Sequence, residues 1–369
     1  AAAVGAERFV LDDGWFKGRH DDRSSLGDWV VDAQKYPEGL TPLIEHVRSN
    51  GLEFGLWVEP EMVNPDSDLA RAHPDWVRRN GTGLLLMRNQ AVLDVARAAV
   101  SAYLFDALNA LLSKHPISYL KWDMNRDLTG AGHGAYVRAV WALIDKLRAA
   151  HPSVEIETCA SGGGRCDYGM LERAERVWVS DSNDALDRFD IQRNANLFLP
   201  PEVCGVHVGP AVCHTTGRRL SLDLRAHVAM FGHMGLELDL RELSDSDDAR
   251  LAAHIANYKK FRSLIHSGTY WRRSIDADHA AGSVTSKTEA LALVVRRGSS
   301  QLGRGCLFKW PGLDPDATYR VEAVAPLARS VEAALTLPLT LSGRVLAARG
   351  LDLYLPRPET SLLLHATAV

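Results

Sequence analysis

The chain has 369 residues, enough for two or three domains or for one barrel with an appendage. Its 46% hydrophobic and 24% charged content excludes disordered, collagenous and coiled-coil chains. A net charge of -4, from 42 Lys plus Arg against 46 Asp plus Glu, offers no basic footprint for nucleic acid or an anionic membrane and favours a small or neutral substrate. No run approaches the roughly 18 apolar residues of a membrane span, and residues 1–10 lack the charged and apolar regions of a signal peptide. The cysteines, Cys159, Cys166, Cys204, Cys213 and Cys306, are odd in number and form no C-x-x-C pair, which points to a reducing, cytoplasmic compartment.

Short apolar runs alternate with segments of helical period as far as about residue 268, the pattern of βα units. Strands are expected at 8–15, 53–61, 119–126, 154–161, 177–183, 203–208 and 235–240. Between them, Thr41 is expected to cap a helix that has Pro42 at its first position, Leu43, Ile44 and Val47 on one face, and Gly51 as its stop. A second helix is expected at 100–114, ended by Pro116. A third, at 135–150, is expected to bury Val137, Val140, Trp141, Ile144 and Leu147. The last, at 247–266, aligns Leu251, Ile255, Tyr258, Phe261 and Ile265. After Gly268 the texture changes to alternating segments at 291–295, 306–310 and 319–324 between Gly, Pro and Asp turns, an antiparallel β domain. The expected domains are therefore 1–270 and 271–369. Seven βα units are one short of a (β/α)8 barrel, and an open seven-stranded sheet with helices on both faces is the alternative.

The carboxyl ends of these strands carry acids, Trp and Gly: FVLDDGW, FGLWVEPE, YLKWDMNR, VEIETCASGGGR and VWVSDSND. In a barrel such ends converge on one mouth. Strand alternation puts Lys121, Asp123 and Asn125 on one face, expected to point inward, and Leu120, Trp122 and Met124 on the other. Asp123 beside the Lys121 ammonium suits an ionised nucleophile, while a buried salt bridge between the two is the bland reading. Asp181, on the same strand face as Val177 and Val179, is open between an acid/base role and a helix cap or turn. The adjacent Asp12 and Asp13, with no neighbouring cation in the sequence, either bind a metal or accept hydrogen bonds from hydroxyls. Trp15, Trp57 and Trp122 favour hydroxyls, because flat aromatic faces suit a sugar ring, although each Trp alone also reads as core packing. Cys159 precedes Ser161, Gly162, Gly163 and Gly164, a run that lets backbone approach a ligand but lacks the Gly-Lys-Ser/Thr of a P-loop. The 14 histidines show no metal spacing, and His207 and His214 are weak pocket candidates.

At these residues the sequence resembles the catalytic part of an α-galactosidase of glycoside hydrolase family 36. The matching stretches are FVLDDGWFKGRHDD, GLWVEPEMVNPDSDL, RNQAVLDV, YLKWDMNR, ETCASGGGRCDYGML, WVSDSNDALDRFDIQ and HVGPAVCHTTGR, in unchanged order from the first strand to beyond residue 210. The resemblance implies a retaining mechanism with Asp123 as nucleophile and Asp181 as general acid/base. It also implies that Asp12, Asp13, Trp57, Arg88, Lys121, Asn125, Cys159 and Gly162 line a galactose subsite, with no metal and no cofactor.

Its implied fold is a (β/α)8 TIM-type barrel followed by a C-terminal antiparallel β-sandwich. Similar proteins carry a β-sandwich and a further βα unit before the F-V-L-D-D-G-W strand, so the expectation is a barrel lacking its first βα unit. The implied substrate is an oligosaccharide with terminal α-linked galactose, of melibiose or raffinose type, and a homo-oligomer (tetramer) is compatible with the intact protein. The rivals are a galactosyltransferase working through the same ester, a magnesium enzyme with Asp12, Asp13 and Glu59 as ligands, and a sugar-binding module without turnover.

Overall fold

The structure, a computed structural model, describes every residue except 80, 82, 129, 300–304 and 333–335. It resolves into two compact units, one of residues 2 and 6–178, the other of residues 1, 3–5 and 179–369.

The first unit is built on parallel strands that appear in chain order: β1 (Arg8–Leu11), β2 (Glu53–Val58), β5 (Tyr119–Trp122), β6 (Glu155–Thr158) and β7 (Arg176–Trp178). Between β2 and β5 a small antiparallel clip joins β3 (Met62–Val63) to β4 (Ala91–Val92). The helices are α1 (Thr41–Ser49), α2 (Asp68–Ala72), α3 (Ala98–Lys114), α4 (His133–Ala150) and α5 (Tyr168–Leu171). β2 is buried at five consecutive positions after Glu53, which is how a strand reads when side chains cover both of its faces. Ile44 and Val47 of α1, Leu104 and Leu108 of α3 and Leu143 and Ile144 of α4 share one core with Phe54, Leu56, Leu120 and Ile156.

In the second unit α6 (Ala185–Ala195), β8 (Cys204–Val208), α7 (Leu222–Ala229), β9 (His233–Leu236) and α8 (Asp245–Ser267) continue the alternation, with β8 and β9 parallel. All seven expected strands are present, five in the first unit and two in the second. They are shorter than expected because their ends, from Asp12, Glu59, Asp123, Cys159 and Val179 onward, lie outside the strands.

After α8 come β10 (Thr269–Ser274), β11 (His279–Thr285), β12 (Glu289–Arg296), β13 (Cys306–Phe308), β14 (Thr318–Ala323), α9 (Arg329–Glu332), β15 (Leu339–Ser342), α10 (Gly343–Ala348), β16 (Leu351–Leu353) and β17 (Thr360–Ala368). Six of these strands form an antiparallel sheet in the order β10-β11-β12-β17-β14-β15, and β13 pairs with β16. Along β12, Leu291, Leu293 and Val295 join the core that holds Leu224 of α7 and Phe261 of α8, while Ala290, Ala292 and Val294 join a second core around Phe308 and Trp310. This two-residue alternation with both faces covered bears out the antiparallel domain.

Several local expectations are corrected. Thr41 is the first residue of α1 rather than its cap; Leu40 holds the cap position and makes no side-chain cap bond. Gly51 does end that helix, at φ +76°. Helix α8 starts two residues before the expected position because the Ser244 hydroxyl accepts the Asp247 N–H and caps it. Val137 faces outward, and Leu143 takes the buried place assigned to it. Helices α6 and α7 had no clear periodic signal, since every residue of α7 is buried and α6 buries Arg188, Gln192 and Arg193. Among the described residues no helix is long and apolar enough to cross a membrane.

Candidate active site

The hydrogen-bond ladder runs past the strands and fixes the first acid. Asp123 N–H donates to Val58 O at 2.8 Å and Cys159 N–H to Trp122 O at 2.9 Å, so both residues follow the sheet after β5 and β6 end. The Asp123 carboxylate is nearly buried, at 6% exposure, and donors converge on it. Trp57 Nε1 donates to Oδ2 at 3.1 Å, Asn125 Nδ2 to the same oxygen at 2.6 Å, and Met124 N–H to Oδ1 at 2.8 Å. The Cys159 thiol also hydrogen-bonds to this carboxylate, and burial together with the Asp123 charge pushes its pKa well up, so it is a thiol rather than a thiolate nucleophile.

Lys121 does not pair with Asp123. Its Nζ donates to Asp12 Oδ2 at 2.9 Å, across 109 residues of sequence. Burial opposes the Lys121 charge, but the Asp12 and Glu157 carboxylates overcome that and hold its pKa above the ordinary lysine value. The expectation that Asp12 and Asp13 stand without a cation is likewise overturned. Arg19, 4% exposed, forks onto Asp13 with Nε at 3.0 Å from Oδ1 and NH2 at 2.8 Å from Oδ2. Trp15 and Trp122 are fully buried packing residues, and Trp57 alone of the three turns a polar atom toward the Asp123 carboxylate.

Two fully buried glutamates, Glu59 and Glu61, follow β2. Glu59 Oε1 accepts the Asn125 N–H at 2.5 Å, and Gln90 Nε2 donates to Oε2 at 3.1 Å. Burial, then the Asp123 charge, pushes the Glu59 carboxyl up to about 8, against the Asn125 hydrogen bonds and the charge of Arg88, which sits on the loop before β4 at φ +51°. Glu61 is gripped by Trp122 Nε1 at 2.8 Å, Tyr136 OH at 3.0 Å and Arg165 NH1 at 2.6 Å. Arg165 follows the Gly run, so this ion pair ties the loop to the end of β2. Within that loop Gly162 adopts φ +84° and its carbonyl accepts the Ala160 N–H at 2.8 Å. Ser161 Oγ donates to Asn125 Oδ1 at 3.3 Å, linking the Gly run to Asn125.

The hydrogen-bond network thus gathers Trp57, Asp123, Asn125 and Cys159, with Gly162 beside them through Ser161, and the Asp12–Lys121 pair interacts with it through the Lys121 charge felt at Cys159. Asp13 is engaged with Arg19, and Arg88 reaches the group by its charge. Sequence reasoning passed over Glu61, Gln90, Arg19 and Arg165 and gave Glu59 a metal-binding role. The available signal was V-E-P-E, two carboxylates spaced by two at an otherwise apolar strand end. The proposed magnesium set does not assemble: Asp12, Asp13 and Glu59 each have the separate partners given above, and among the described residues no cluster of three His, Cys, Asp or Glu side chains is built to hold a metal.

In the second unit Asp181 lies on the loop after β7 and is exposed. It is not the helix cap that S-D-S-N-D allowed. That role belongs to Asp184, whose Oδ1 accepts from Leu186 N–H at 3.0 Å and Asp187 N–H at 3.3 Å. Asp184 also binds Thr216 Oγ1 at 2.7 Å and Arg218 NH1 at 2.6 Å, which clamps the HVGPAVCHTTGR loop to the Asp181 loop. His207 Nδ1 lies 3.2 Å from Glu237, and His214 is exposed.

Residues 1–268 match the Melibiase family model. The chain belongs to the Melibiase family. Among curated relatives of this melibiase-family chain, the α-galactosidase of Escherichia coli is 43% identical over 387 residues, covering 99% of the chain and 54% of the relative. α-Galactosidase AgaA of Geobacillus stearothermophilus is 39% identical, covering 88% of the chain and 47% of the relative. The chain therefore spans about half the length of these relatives. The galactosidase domain of the α-galactosidase-sucrose kinase AgaSK superposes with a TM-score of 0.93 at 37% identity, covering 100% of this chain and 51% of that one. A glycoside hydrolase family 36 structure of AgaA in complex with raffinose superposes with a TM-score of 0.93 at 35% identity, covering 100% and 52%. The melibiase-type fold, parallel βα units followed by an antiparallel β domain, is thus shared over the whole chain.

Proposed function

We propose that this chain carries the catalytic site of a retaining α-galactosidase that removes terminal α-linked galactose from raffinose- and melibiose-type oligosaccharides. The observation that carries the reading is the Asp123 carboxylate, held at the end of β5 by Trp57, Asn125 and Met124. Three fixed donors leave it little freedom to rotate, as a nucleophile that must meet one carbon requires. In the first step an Asp123 oxygen bonds to the anomeric carbon as the glycosidic C–O bond breaks, and the leaving oxygen takes its proton from Asp181. In the second, water bonds to that carbon while Asp181 takes its proton and the ester to Asp123 breaks. Two inversions return the α-configuration.

The paired Asp12 and Lys121 offer an acceptor and a donor to neutral hydroxyls, which fits a sugar and is consistent with the raffinose bound by AgaA. We assign Asp13, Trp57, Arg88, Asn125, Cys159 and Gly162 to the same galactose subsite. The catalytic barrel is taken as 1–270 and the β-sandwich domain as 271–369. None of the five cysteines is in a disulfide, which fits a reducing, cytoplasmic compartment, and a homo-oligomer (tetramer) is compatible with this reading.

The test is turnover of raffinose, whose sugar leaving group needs the proton, by the parent, Asp123→Ala and Asp181→Ala, with product followed by proton NMR. Each substitution is expected to lower kcat/KM by about 10⁴-fold or more, as losing one member of a catalytic unit does. α-Galactose is expected as the first anomer. Unimpaired hydrolysis in either variant, or β-galactose first, would remove the assignment.

A further inference from the structure

Glu59 has no exposed surface, and its hydrogen-bond partners are all uncharged: the Asn125 N–H and side chain, and the Gln90 amide. Among the described residues no Lys, Arg or His nitrogen stands within ion-pair distance of it. The charges facing it are Asp123 from the end of β5 and Arg88 from the exposed loop before β4. Farther out, Lys121 is taken by Asp12, the Cys159 thiol turns to Asp123, and Arg165 is taken by Glu61. A carboxyl closed off from water, beside a second carboxyl and without its own cation, is cheaper to keep neutral than ionised.

Asn125 stands between the two acids. Its backbone N–H points to Glu59 Oε1 at 2.5 Å, and its Nδ2 points to Asp123 Oδ2 at 2.6 Å. We propose that Glu59 is a positioning residue which, in its protonated form, anchors Asn125 against Asp123 and leaves Asp123 the only anion of the pair. Ionised Glu59 competes with Asp123 for the Asn125 amide and places a second negative charge behind the nucleophile. Gln90 suits the proton-bearing state: its Oε1 is buried without a partner, and a half-turn of the amide presents that oxygen to the Glu59 proton. The effect on turnover rests on Asp123 being the nucleophile; the protonation of Glu59 does not.

Two readouts on the whole chain separate these. The first is the infrared difference spectrum in D2O between the parent and Glu59→Gln. A neutral carboxyl band belonging to the parent is expected at about pH 6 and is expected to fade by about pH 10, since burial and Asp123 place its ionisation near 8. The second is kcat and KM for p-nitrophenyl α-galactoside against pH. Glu59→Ala is expected to lower kcat on the order of 100-fold with KM changed far less, and Glu59→Gln, a neutral isostere, to recover most of that loss and to lack the component of the parent's basic limb that falls near pH 8. Absence of a Glu59-dependent neutral carboxyl band, or a basic limb identical in the parent and Glu59→Gln, would overturn the proposal. Turnover retained in Asp123→Ala would instead strike the nucleophile assignment and leave the infrared result standing.

Discussion

Glu59 and Glu61 leave β2 two residues apart, and neither has any exposed surface. Glu61 has the Arg165 guanidinium at 2.6 Å and two further donors in Trp122 and Tyr136. Glu59 has amides only, with the Asp123 charge nearby. The same side chain at the same depth therefore has two settings: with a cation it becomes a structural tie for the Gly run, and without one it is a carboxyl beside Asp123 whose neutral form burial favours. Burial alone does not decide the charge of an acid; the partner that burial leaves within reach does.

The contrast can be broken most forcefully at Arg165. Arg165→Met leaves Glu61 buried without its cation, and urea unfolding near neutral pH is expected to report a loss of about 3–5 kcal/mol. A loss under about 1 kcal/mol would mean the pair is not the tie described.

Glu59 offers a test with the opposite sign. Its folded-state pKa of about 8 lies above the ordinary value of 4.5, so between these limits the folded state holds a proton that the unfolded chain has released. This contribution to stability is fully present below about pH 4.5 and is lost as pH rises toward 8, by at most about 1.4 kcal/mol per unit. Glu59→Gln lacks that slope, so its stability relative to the parent is expected to climb between about pH 5 and about pH 8. A constant difference across that window would contradict the neutral acid.

The smallest effect is expected at Tyr136→Phe, which removes one of three donors to Glu61 and should cost about 1 kcal/mol in the same unfolding assay.

How much of this was readable in advance follows from the range of each interaction. The strands were legible because a run such as F-G-L-W-V is buried on both faces and needs no partner to be recognised. Their ends were overdrawn, since apolar texture continues through Trp15 and Trp178 after the ladder has stopped or is about to. Helix α7 escaped because Asp223, Arg225 and His227 are buried along with its apolar residues, which erases the amphipathic period. Asp123 was legible from K-W-D-M-N and a family resemblance, yet its neighbour was misjudged. Lys121 turns to Asp12, 109 residues away, and no local spacing encodes that choice. Arg19 on Asp13 is closer in sequence, but it needs the turn that brings residues 13 and 19 together. The role of Glu59 was hidden for a similar reason, because its meaning depends on the cation it lacks.

The most direct measurement is mass spectrometry of the chain after reaction with a slow fluorinated galactosyl fluoride, which forms the glycosyl ester faster than water cleaves it. The account predicts one galactosyl adduct per chain, on the peptide containing Y-L-K-W-D-M-N-R and localised by fragmentation to Asp123. An adduct on Asp181, Asp12 or any other carboxylate would contradict it.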